Sequence, residues 1–337
     1  MVLIALLMCA PEVKAASSEQ VELGRALFGS AGLSRDGSVS CQSCHHPDHA
    51  YADIQARSIG LSNKQGTRNA PSLVDVAQRP LLFWDGRRTR LSEAVLDPLV
   101  NPVEMGWPSL NELEAKLQAD PQWPARFRKA FPEAQAKPTS NQIASALVAF
   151  LATLKSEDNP FDRARQQQTP LPALAEQGKA LFQGSAQCGQ CHSLDGKASF
   201  TDEAFHHSGI NDPSQQAGLP QLAKTVMDVA LTGNALAARL LSDPQWSALG
   251  RFAVSHRPAD IGAFRTPSLR NVAVTAPYMH DGSIATLEEA VDHEIYYRGL
   301  NTGRPINLTV QERRALIAFL RSLTDMQYAT ASSGTKP

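Results

Sequence analysis

Cys41-Gln42-Ser43-Cys44-His45 lies in the first half of the chain, and Cys188-Gly189-Gln190-Cys191-His192 repeats the pattern in the second half. Two thiols three positions apart, followed directly by an imidazole, are typical of a site that attaches haem c. The sulfurs bond the haem vinyl groups, and the histidine binds the iron as proximal ligand. A disulfide or a zinc site is the competing interpretation, but zinc needs four clustered ligands, and the two motifs lie 147 residues apart. The sequence therefore predicts two covalent haem c groups, with His45 and His192 as iron ligands.

The composition indicates a globular chain of two ordinary domains. The 337 residues carry a formal net charge of −1, with 19% charged residues, so nothing suggests a nucleic-acid partner. Aromatic residues make up only 6% of the chain, and a haem in each half would supply missing apolar surface. No segment is apolar and long enough to span a bilayer. We therefore expect a protein with two haem-containing cores and no membrane span.

Residues 1–15 resemble an export signal. Residues 1–10 are mostly apolar, and Val13-Lys14-Ala15 offers a cleavage site with small residues. Cys9 lies in this segment, so cleavage after Ala15 would leave four cysteines, all of them in the two haem motifs. We therefore expect the mature protein in the periplasm, with residues 331–337 as a tail.

The two halves resemble a diverged tandem duplication. Gly24-Arg25-Ala26-Leu27-Phe28 before the first motif matches Gly178-Lys179-Ala180-Leu181-Phe182 before the second. Each half also ends in a similar amphipathic helix, at residues 148–154 and 317–323. A helix, a haem motif, loops and a closing helix follow each other in the order of a small cytochrome c domain.

The best internal match lies between these helices. Pro71-Ser72-Leu73 recurs 196 residues later as Pro267-Ser268-Leu269, and further matches downstream keep the same spacing. The two haem motifs are closer together, so the second half carries 49 additional residues before Pro267. We predict an all-α fold of two tandem cytochrome c-like domains, 16–165 and 166–330, packed around an inter-domain interface.

The constant spacing allows the residues opposite each proximal histidine to be compared. In the first half the helix that begins at Leu91 stops at Pro98, and proline cannot bind iron. Glu104 follows six residues later, where a carboxylate beside an open iron could transfer the proton of a peroxide. A simple helix-start glutamate is the alternative, but the nearby haem favours a catalytic role for Glu104 and Pro98.

The second half offers ligand candidates at the same place. The residue 196 positions after Pro98 is Glu294, within His293-Glu294-Ile295-Tyr296-Tyr297. Tyrosine is a known axial ligand of haem, and phenolate is a hard anionic donor. Tyr296 is therefore predicted to bind the second iron. Tyr297, Glu294 and His293 stay open as alternatives, as does a purely structural role for both tyrosines.

Trp84 occupies the position that His280 has in the second half. A lone tryptophan most often packs in a core. On a loop shared by two haem domains, an indole is also well placed to carry electrons between them.

Taken together, these residues resemble the bacterial di-haem cytochrome c peroxidase family, and its MauG-like branch in particular. The resemblance covers nearly the whole mature chain and is most specific in three segments, 83–87, 101–105 and 266–280. It implies a high-spin, peroxide-reactive first haem with Pro98 and Glu104 in its distal pocket. It also implies a six-coordinate, low-spin second haem, with Trp84 between the two.

The resemblance further implies one calcium ion between the domains. Asn69 and the backbone carbonyls of Thr275 and Pro277 would hold it, and oxygen ligands suit this hard cation.

The loop before Asn69 separates two groups within the family. Members that need reductive activation carry a removable distal histidine there, whereas residues 57–68 of this chain contain no His, Met or Cys. The first iron is therefore expected to be open in the resting ferric protein. Two residues depart from MauG: Ala94 replaces a glutamine, and Ala186 replaces a surface tryptophan that oxidises its protein substrate. The same substrate and the same electron exit are therefore not implied.

The predicted function is that of an exported di-haem oxidoreductase that uses hydrogen peroxide at the first haem. It would oxidise an external donor through the second haem: a small cytochrome, a copper protein, or a protein whose side chain is modified. Two alternatives stay open, namely a peroxidase that must first be half-reduced and a di-haem electron carrier without chemistry of its own.

Overall fold

The computed structural model describes residues 16–133, 137–194, 199–210, 213–228 and 239–329. The predicted export signal at 1–15 and the tail at 331–337 lie outside these residues. Within them, every helix is too short or too polar to cross a bilayer.

The described chain is mainly helical, as predicted. One antiparallel pair of two-residue strands, β1 (Phe205–His206) and β2 (Phe264–Arg265), interrupts the helices. The α-helices with described ends are α1 Ser18–Gly29, α2 Leu91–Ala94, α3 Asp97–Val100, α4 Leu110–Ala119, α5 Gln122–Ala130, α6 Ser140–Leu151, α7 Pro160–Arg165, α8 Ala173–Gln183, α9 Pro213–Asp228, α10 Pro244–Ser247, α11 Phe252–Ser255, α12 Leu287–Thr302, α13 Val310–Arg321 and α14 Met326–Ala329.

Four of the longer helices start at a capping box. In each, the hydroxyl of the N-cap residue accepts a hydrogen bond from the backbone N–H of the third helical residue. The side chain of that third residue in turn accepts a hydrogen bond from the backbone N–H of the N-cap residue. The pairs are Ser17 with Gln20 in α1, Thr139 with Gln142 in α6, Thr286 with Glu289 in α12, and Thr309 with Glu312 in α13. Local sequence therefore determines where the helices around the two haem motifs begin.

The helix pair in each half crosses at a glycine. A Cβ at Gly24 in α1 would lie 1.9 Å from the carbonyl oxygen of Ala146 in α6. A Cβ at Gly178 in α8 would lie 1.9 Å from the carbonyl oxygen of Ala315 in α13. Because only glycine permits so close an approach, the shared glycine of the two matched segments sets the same crossing in both halves.

Two separate apolar cores form around these crossings. The first contains buried residues between Leu23 and Leu154, and the second contains buried residues between Phe161 and Leu323. The predicted division at residue 165 places Phe161 in the first half, whereas its ring packs against Phe200 and Phe319 of the second core, with centroids 5.2 and 5.8 Å away. Phe161 therefore packs with the second core, although the expected division places it in the first half.

The 196-residue spacing is visible in the backbone. The isolated bridge between Leu82 and Arg88 recurs between Tyr278 and Ile284. Left-handed backbone conformations recur at the same spacing, in the pairs Asp75 and Asn271, Phe83 and Met279, and Gly86 and Gly282. These loops follow the same path in both halves, which confirms the predicted equivalence of the two segments.

The two halves also meet through a reciprocal pair of backbone hydrogen bonds. The N–H of Asn69 donates to the carbonyl of His280 at 2.9 Å, and the N–H of Arg265 donates to the carbonyl of Trp84 at 2.8 Å. Asn69 and Arg265 are equivalent positions, as are Trp84 and His280. The contact therefore has the self-complementary form of a two-fold interface.

The additional segment of the second half builds a small core of its own from α9, α10, α11 and neighbouring residues. It lies against the loop 57–68 of the first half. Thr67 Oγ1 donates to Leu240 O at 3.1 Å, and Arg68 Nε donates to Ser247 Oγ at 2.8 Å. The insertion therefore braces the loop 57–68 of the first half.

Candidate functional site

A cavity of about 980 Å³ runs between the two halves and is lined by residues of both haem motifs. This volume is at the upper end of the range for small-molecule sites. The predicted residues that line it are Cys41, Cys44, His45, Asn69, Trp84, Pro98, Glu104, Cys188, Cys191, His192, Thr275 and Pro277. The structure thus brings every predicted site residue except Tyr296 to one cavity.

The two proximal histidines have matching environments. His45 Nδ1 lies 2.9 Å from the carbonyl oxygen of Tyr51, and His192 Nδ1 lies 2.9 Å from that of Phe200. Since a carbonyl only accepts, each Nδ1 carries the proton and each Nε2 keeps its lone pair for a metal. Burial lowers the pKa of both imidazoles, which favours their neutral form. This arrangement fits proximal ligation of a haem iron.

The four described cysteines form no disulfide with one another. Each motif forms a short 3-10 helix, Cys41–Ser43 and Cys188–Gln190, which turns the histidine back towards the first cysteine. The N–H of His45 donates to Cys41 O at 2.9 Å, and that of His192 donates to Cys188 O at 3.0 Å. Burial raises the pKa of Cys41 and of Cys188 to about 12. Two unpaired thiols and one oriented imidazole in each half are the donor set that holds a haem c.

Glu104 faces the first part of the cavity from the turn after α3. Asn101 Nδ2 donates to its Oε1 at 2.6 Å, while Asn101 Oδ1 accepts the N–H of Val103 at 2.9 Å. Burial raises the pKa of Glu104, and the charge of Arg87 and the bond from Asn101 act against that rise. A carboxyl group with a raised pKa and a fixed orientation is suited to taking up and releasing a proton.

The loop 57–68 packs directly on this turn. A Cβ at Gly60 would lie 2.1 Å from Val103 O, and the N–H of Leu61 donates to the carbonyls of Val103 and Glu104 at 3.0 Å. Pro98 lines the same part of the cavity. Neither the loop nor Pro98 brings an imidazole, thioether or thiol to the first haem motif.

Trp84 is fixed between the halves. Its side chain is 9% exposed, and its Nε1 donates to the carbonyl of Asn69 at 2.9 Å. Its own carbonyl accepts the bond from Arg265 described above. The indole therefore lies where the two halves touch and lines the cavity that they share.

The residue after Trp84 anchors a buried ionic network. Asp85, 1% exposed, lies 2.7 Å from Arg68 Nη1 and 3.1 Å from Arg87 Nη1. Burial opposes its ionisation, but Arg87 and Arg68 outweigh burial and lower the pKa of Asp85 to about 2. Arg251, from the additional segment, donates to the carbonyl of Asp85 at 3.0 Å. These arginines carried no local sequence signal, because Arg68 and Arg251 are far from Asp85 along the chain.

The structure argues against Tyr296 as the ligand of the second iron. Its side chain is 68% exposed, on the outer face of α12. His293 is engaged elsewhere, since its Nε2 lies 2.7 Å from Ser208 O, and the ring of Tyr297 is parallel to the His293 imidazole with centroids 6.1 Å apart. Glu294 is the one of the four candidates that lines the cavity. The helix phase therefore turns Glu294 towards the cavity and Tyr296 outwards.

Both positions at which the chain departs from MauG are buried. Ala94 is 7% exposed and Ala186 is 3% exposed, and both line the cavity. Position 186 therefore offers no side chain at the surface for electron exit.

The predicted calcium ligands lie at the contact between the halves. The amide nitrogen of Asn69 donates to the carbonyls of Gln55 at 3.2 Å and Ala56 at 3.3 Å. Asn69, Thr275 and Pro277 all line the cavity between the halves.

Sequence reasoning missed two functional partnerships. The role of Asn101 could have been inferred, since an Asn before Pro often binds the backbone two residues later. The second partnership joins the halves: Glu203 lies 3.0 Å from Arg79 and 3.1 Å from Arg265. No local pattern predicts it, because the three residues come from distant parts of the chain.

Comparisons with known proteins agree with this geometry. The sequence pattern of the family described as Di-haem cytochrome c peroxidase matches residues 18–170. The Methylamine utilization protein MauG of Methylorubrum extorquens is 33% identical over 321 residues, 93% of this chain and 80% of that protein. Cytochrome c551 peroxidase of Pseudomonas aeruginosa is 32% identical over 313 residues, 92% of this chain and 80% of that protein. The crystal structure of a MauG-like protein associated with microbial copper homeostasis is 31% identical, with a TM-score of 0.77 and 95% of each chain covered. The chain therefore belongs to the di-haem cytochrome c peroxidase family, and it is a peroxidase-type oxidoreductase with two c-type haems.

Proposed function

We propose that this protein reduces hydrogen peroxide at the haem of His45 and oxidises an external donor through the haem of His192. Each turnover would take two electrons from the donor and two protons, and would release two molecules of water. The observation that carries the proposal is the asymmetry around the cavity. The first motif faces Pro98, Glu104 and a loop without iron ligands, whereas the second faces a helix with a carboxylate.

Glu104 is the proton carrier in this proposal. When bound, the first haem supplies the redox chemistry of O–O cleavage. Glu104 takes a proton from the incoming peroxide and returns it to the departing oxygen. Asn101 holds the carboxylate in place through its 2.6 Å bond. The raised pKa of Glu104 brings proton uptake closer to the operating pH.

Trp84 is the proposed path for electrons between the haems. Its indole is held by Asn69 and its backbone by Arg265, so both parts of the residue are anchored at the contact between the halves. The donor would dock on the protein surface, and a small cytochrome, a copper protein or a modified protein side chain each fit this chemistry. Since Ala186 is buried, electrons would leave by a different route from the one through the tryptophan of MauG.

Three further features belong to the proposal. We assign the haems to two domains, which divide between Leu154 and Phe161, because each core surrounds one motif. The export-like sequence at 1–15 supports a periplasmic location of the mature protein. One calcium ion, bound by Asn69, Thr275 and Pro277, would stabilise the contact between the halves.

The function is tested by adding hydrogen peroxide to the fully oxidised holoprotein and recording absorption and EPR spectra. We expect a high-spin signal from the first haem that changes on peroxide addition without any reductant. A response that appears only after half-reduction would indicate the reductively activated peroxidase instead. Low-spin signals from both haems, with no reaction with peroxide in the fully oxidised or the half-reduced protein, would indicate an electron carrier instead.

Glu104→Gln tests the proton carrier. The variant should bind both haems and react with peroxide about 10²- to 10⁴-fold more slowly, the usual contribution of a general acid–base group. Glu22→Gln is the matched control, because Glu22 is an exposed residue of α1 whose pairing with Arg25 is weak. A Glu104→Gln rate equal to that of wild type would remove Glu104 from the mechanism.

A further inference from the structure

One face of α12 forms the wall of the cavity beside the second haem motif. The residues of this face follow each other at helical spacing: Leu287, Ala290, Val291, Glu294, Ile295 and Arg298. Four of them are apolar. The wall therefore presents a single anionic group, Glu294, in largely hydrophobic surroundings.

This face lies at the edge where the haem is attached. Arg298 Nη2 is 3.4 Å from Cys191 Sγ, and Glu294 is one helical turn before Arg298. The charge of Glu294 also acts on the thiol of Cys188. His192 belongs to the haem motif and Glu294 to the separate helix α12, and both line the same cavity.

Among the described residues, no side chain or backbone group forms a hydrogen bond with the carboxylate of Glu294, and the positive charge of Arg298 one helical turn later acts on it from a distance. Glu104, the carboxylate near the first motif, is held by Asn101. A partly buried carboxylate without a hydrogen bond is costly, and a metal cation bound directly to it lowers that cost. The iron of the second haem is a cation that this cavity is built to receive.

The internal repeat gives independent support. Glu294 is 196 residues after Pro98, and the neighbouring loops of the two halves have the same backbone path at this spacing. A residue that cannot bind iron thus occupies the position in one half, and a carboxylate occupies it in the other. The other donors of this region are engaged or turned away: Tyr296 is exposed, and His293 binds Ser208.

We propose that Glu294 is the sixth ligand of the second haem iron, bound through one carboxylate oxygen opposite His192. The proposal rests on the division of roles between the haems and identifies the group that closes the second one. A hard anionic oxygen favours the ferric state, so the second haem would be harder to reduce than one closed by imidazole or thioether. The closed site would also direct peroxide to the first haem.

The test uses the holoprotein and counts open irons. Imidazole titrated into ferric wild type should bind at one haem, and in Glu294→Ala it should bind at two. The midpoint potential of the second haem should rise in the variant, and that of the first should stay unchanged. Glu294→His should produce the low-spin EPR signature of two imidazoles on one iron, since position 294 would still reach the metal. Tyr296→Phe is the control and should match wild type in all three measurements.

Several outcomes overturn the inference. One imidazole site and an unchanged second potential in Glu294→Ala would show that another group, such as His280 or Met279 on the cavity wall, closes the iron. If Glu294→Ala does not retain haem, Glu294→Gln replaces it, and the same two measurements decide. If wild type does not react with peroxide but the Glu294 variants show the expected changes, the proposed function is refuted and the ligand assignment stands. If wild type reacts with peroxide but the Glu294 variants show none of these changes, the ligand assignment is refuted and the proposed function stands.

Discussion

Replacing Asn101 by Asp would remove the hydrogen bond that orients the proposed proton carrier. Asn101 Nδ2 donates to Glu104 Oε1 at 2.6 Å, and Asn101 Oδ1 accepts from the N–H of Val103 at 2.9 Å. Aspartate keeps an oxygen for Val103, so the turn should persist. It replaces the donor by a second carboxylate, which disfavours the ionised form of Glu104.

The size of the effect follows from the type of bond. A hydrogen bond to a charged group contributes about 1.5–3 kcal/mol, so its loss lowers the ionised fraction of Glu104 about 10- to 150-fold on the acidic side of its pKa. Burial already raises that pKa, so the rate constant for the peroxide reaction should rise with pH in wild type. In Asn101→Asp the rise should move to higher pH, and the acidic limb should fall by the factor given above.

Stopped-flow mixing of ferric holoprotein with peroxide across a pH series measures both quantities. Haem content and the low-spin spectrum of the second haem report whether the variant is intact. Glu104→Gln in the same series should show no pH dependence from this group. An Asn101→Asp profile that overlays wild type would refute the view that Asn101 controls the ionisation of Glu104.

Three further predictions concern the frame of the site. Gly24→Ala and Gly178→Ala should each destabilise the protein by about 1–3 kcal/mol or more through overpacking. Gly218→Ala is the control, because no neighbouring atom lies within 4 Å of the added Cβ, and it should stabilise helix α9 by up to about 1 kcal/mol. Thermal unfolding compares the stabilities of the three variants. The pKa of Asp85 is lowered from 3.8 to about 2, so its contribution of about 2 kcal/mol to stability is present above pH 4 and lost as pH falls through 2. In urea unfolding, Asp85→Asn should therefore be less stable than wild type at pH 7. Its free energy of unfolding should also change less with pH in the acidic range. Dialysis against EGTA should lower the unfolding temperature of wild type and Ca²⁺ should restore it, while an Asn69→Ala variant that still responds to Ca²⁺ would exclude the proposed ion site.

Much of the fold could be predicted because its determinants are local or repeated. The haem motifs carry their own short helices, and the capping boxes mark the helix starts around them. The match between Gly24 and Gly178 reflects a steric requirement that sequence comparison detects directly, since each glycine touches a carbonyl of the partner helix. The 196-residue spacing was equally informative, because it depends on left-handed turns that few residues adopt.

The parts that could not be predicted depend on helix phase and on long-range pairing. Tyr296 and Glu294 are two residues apart, so they lie on nearly opposite faces of α12, and no local signal says which face meets the cavity. The choice is made by packing, which buries Ile295 beside Glu294 and leaves Tyr296 in solvent. The links from Arg68 to Ser247 and from Arg79 to Glu203 form only when the halves meet.

The two-fold contact explains how one repeat can serve two roles. Equivalent bonds from Asn69 and Arg265 fix the two loops against each other, so each half imposes the same frame on its haem. Within that frame the residues that face the irons are free to differ without disturbing the packing. Pro98 and Glu294 differ at one equivalent position, and Trp84 and His280 differ at another. Under the proposed function, a duplicated electron-transfer fold therefore needs few substitutions at such positions to become an enzyme with one open and one closed iron, and the shared frame holds the indole of Trp84 at the contact between the halves.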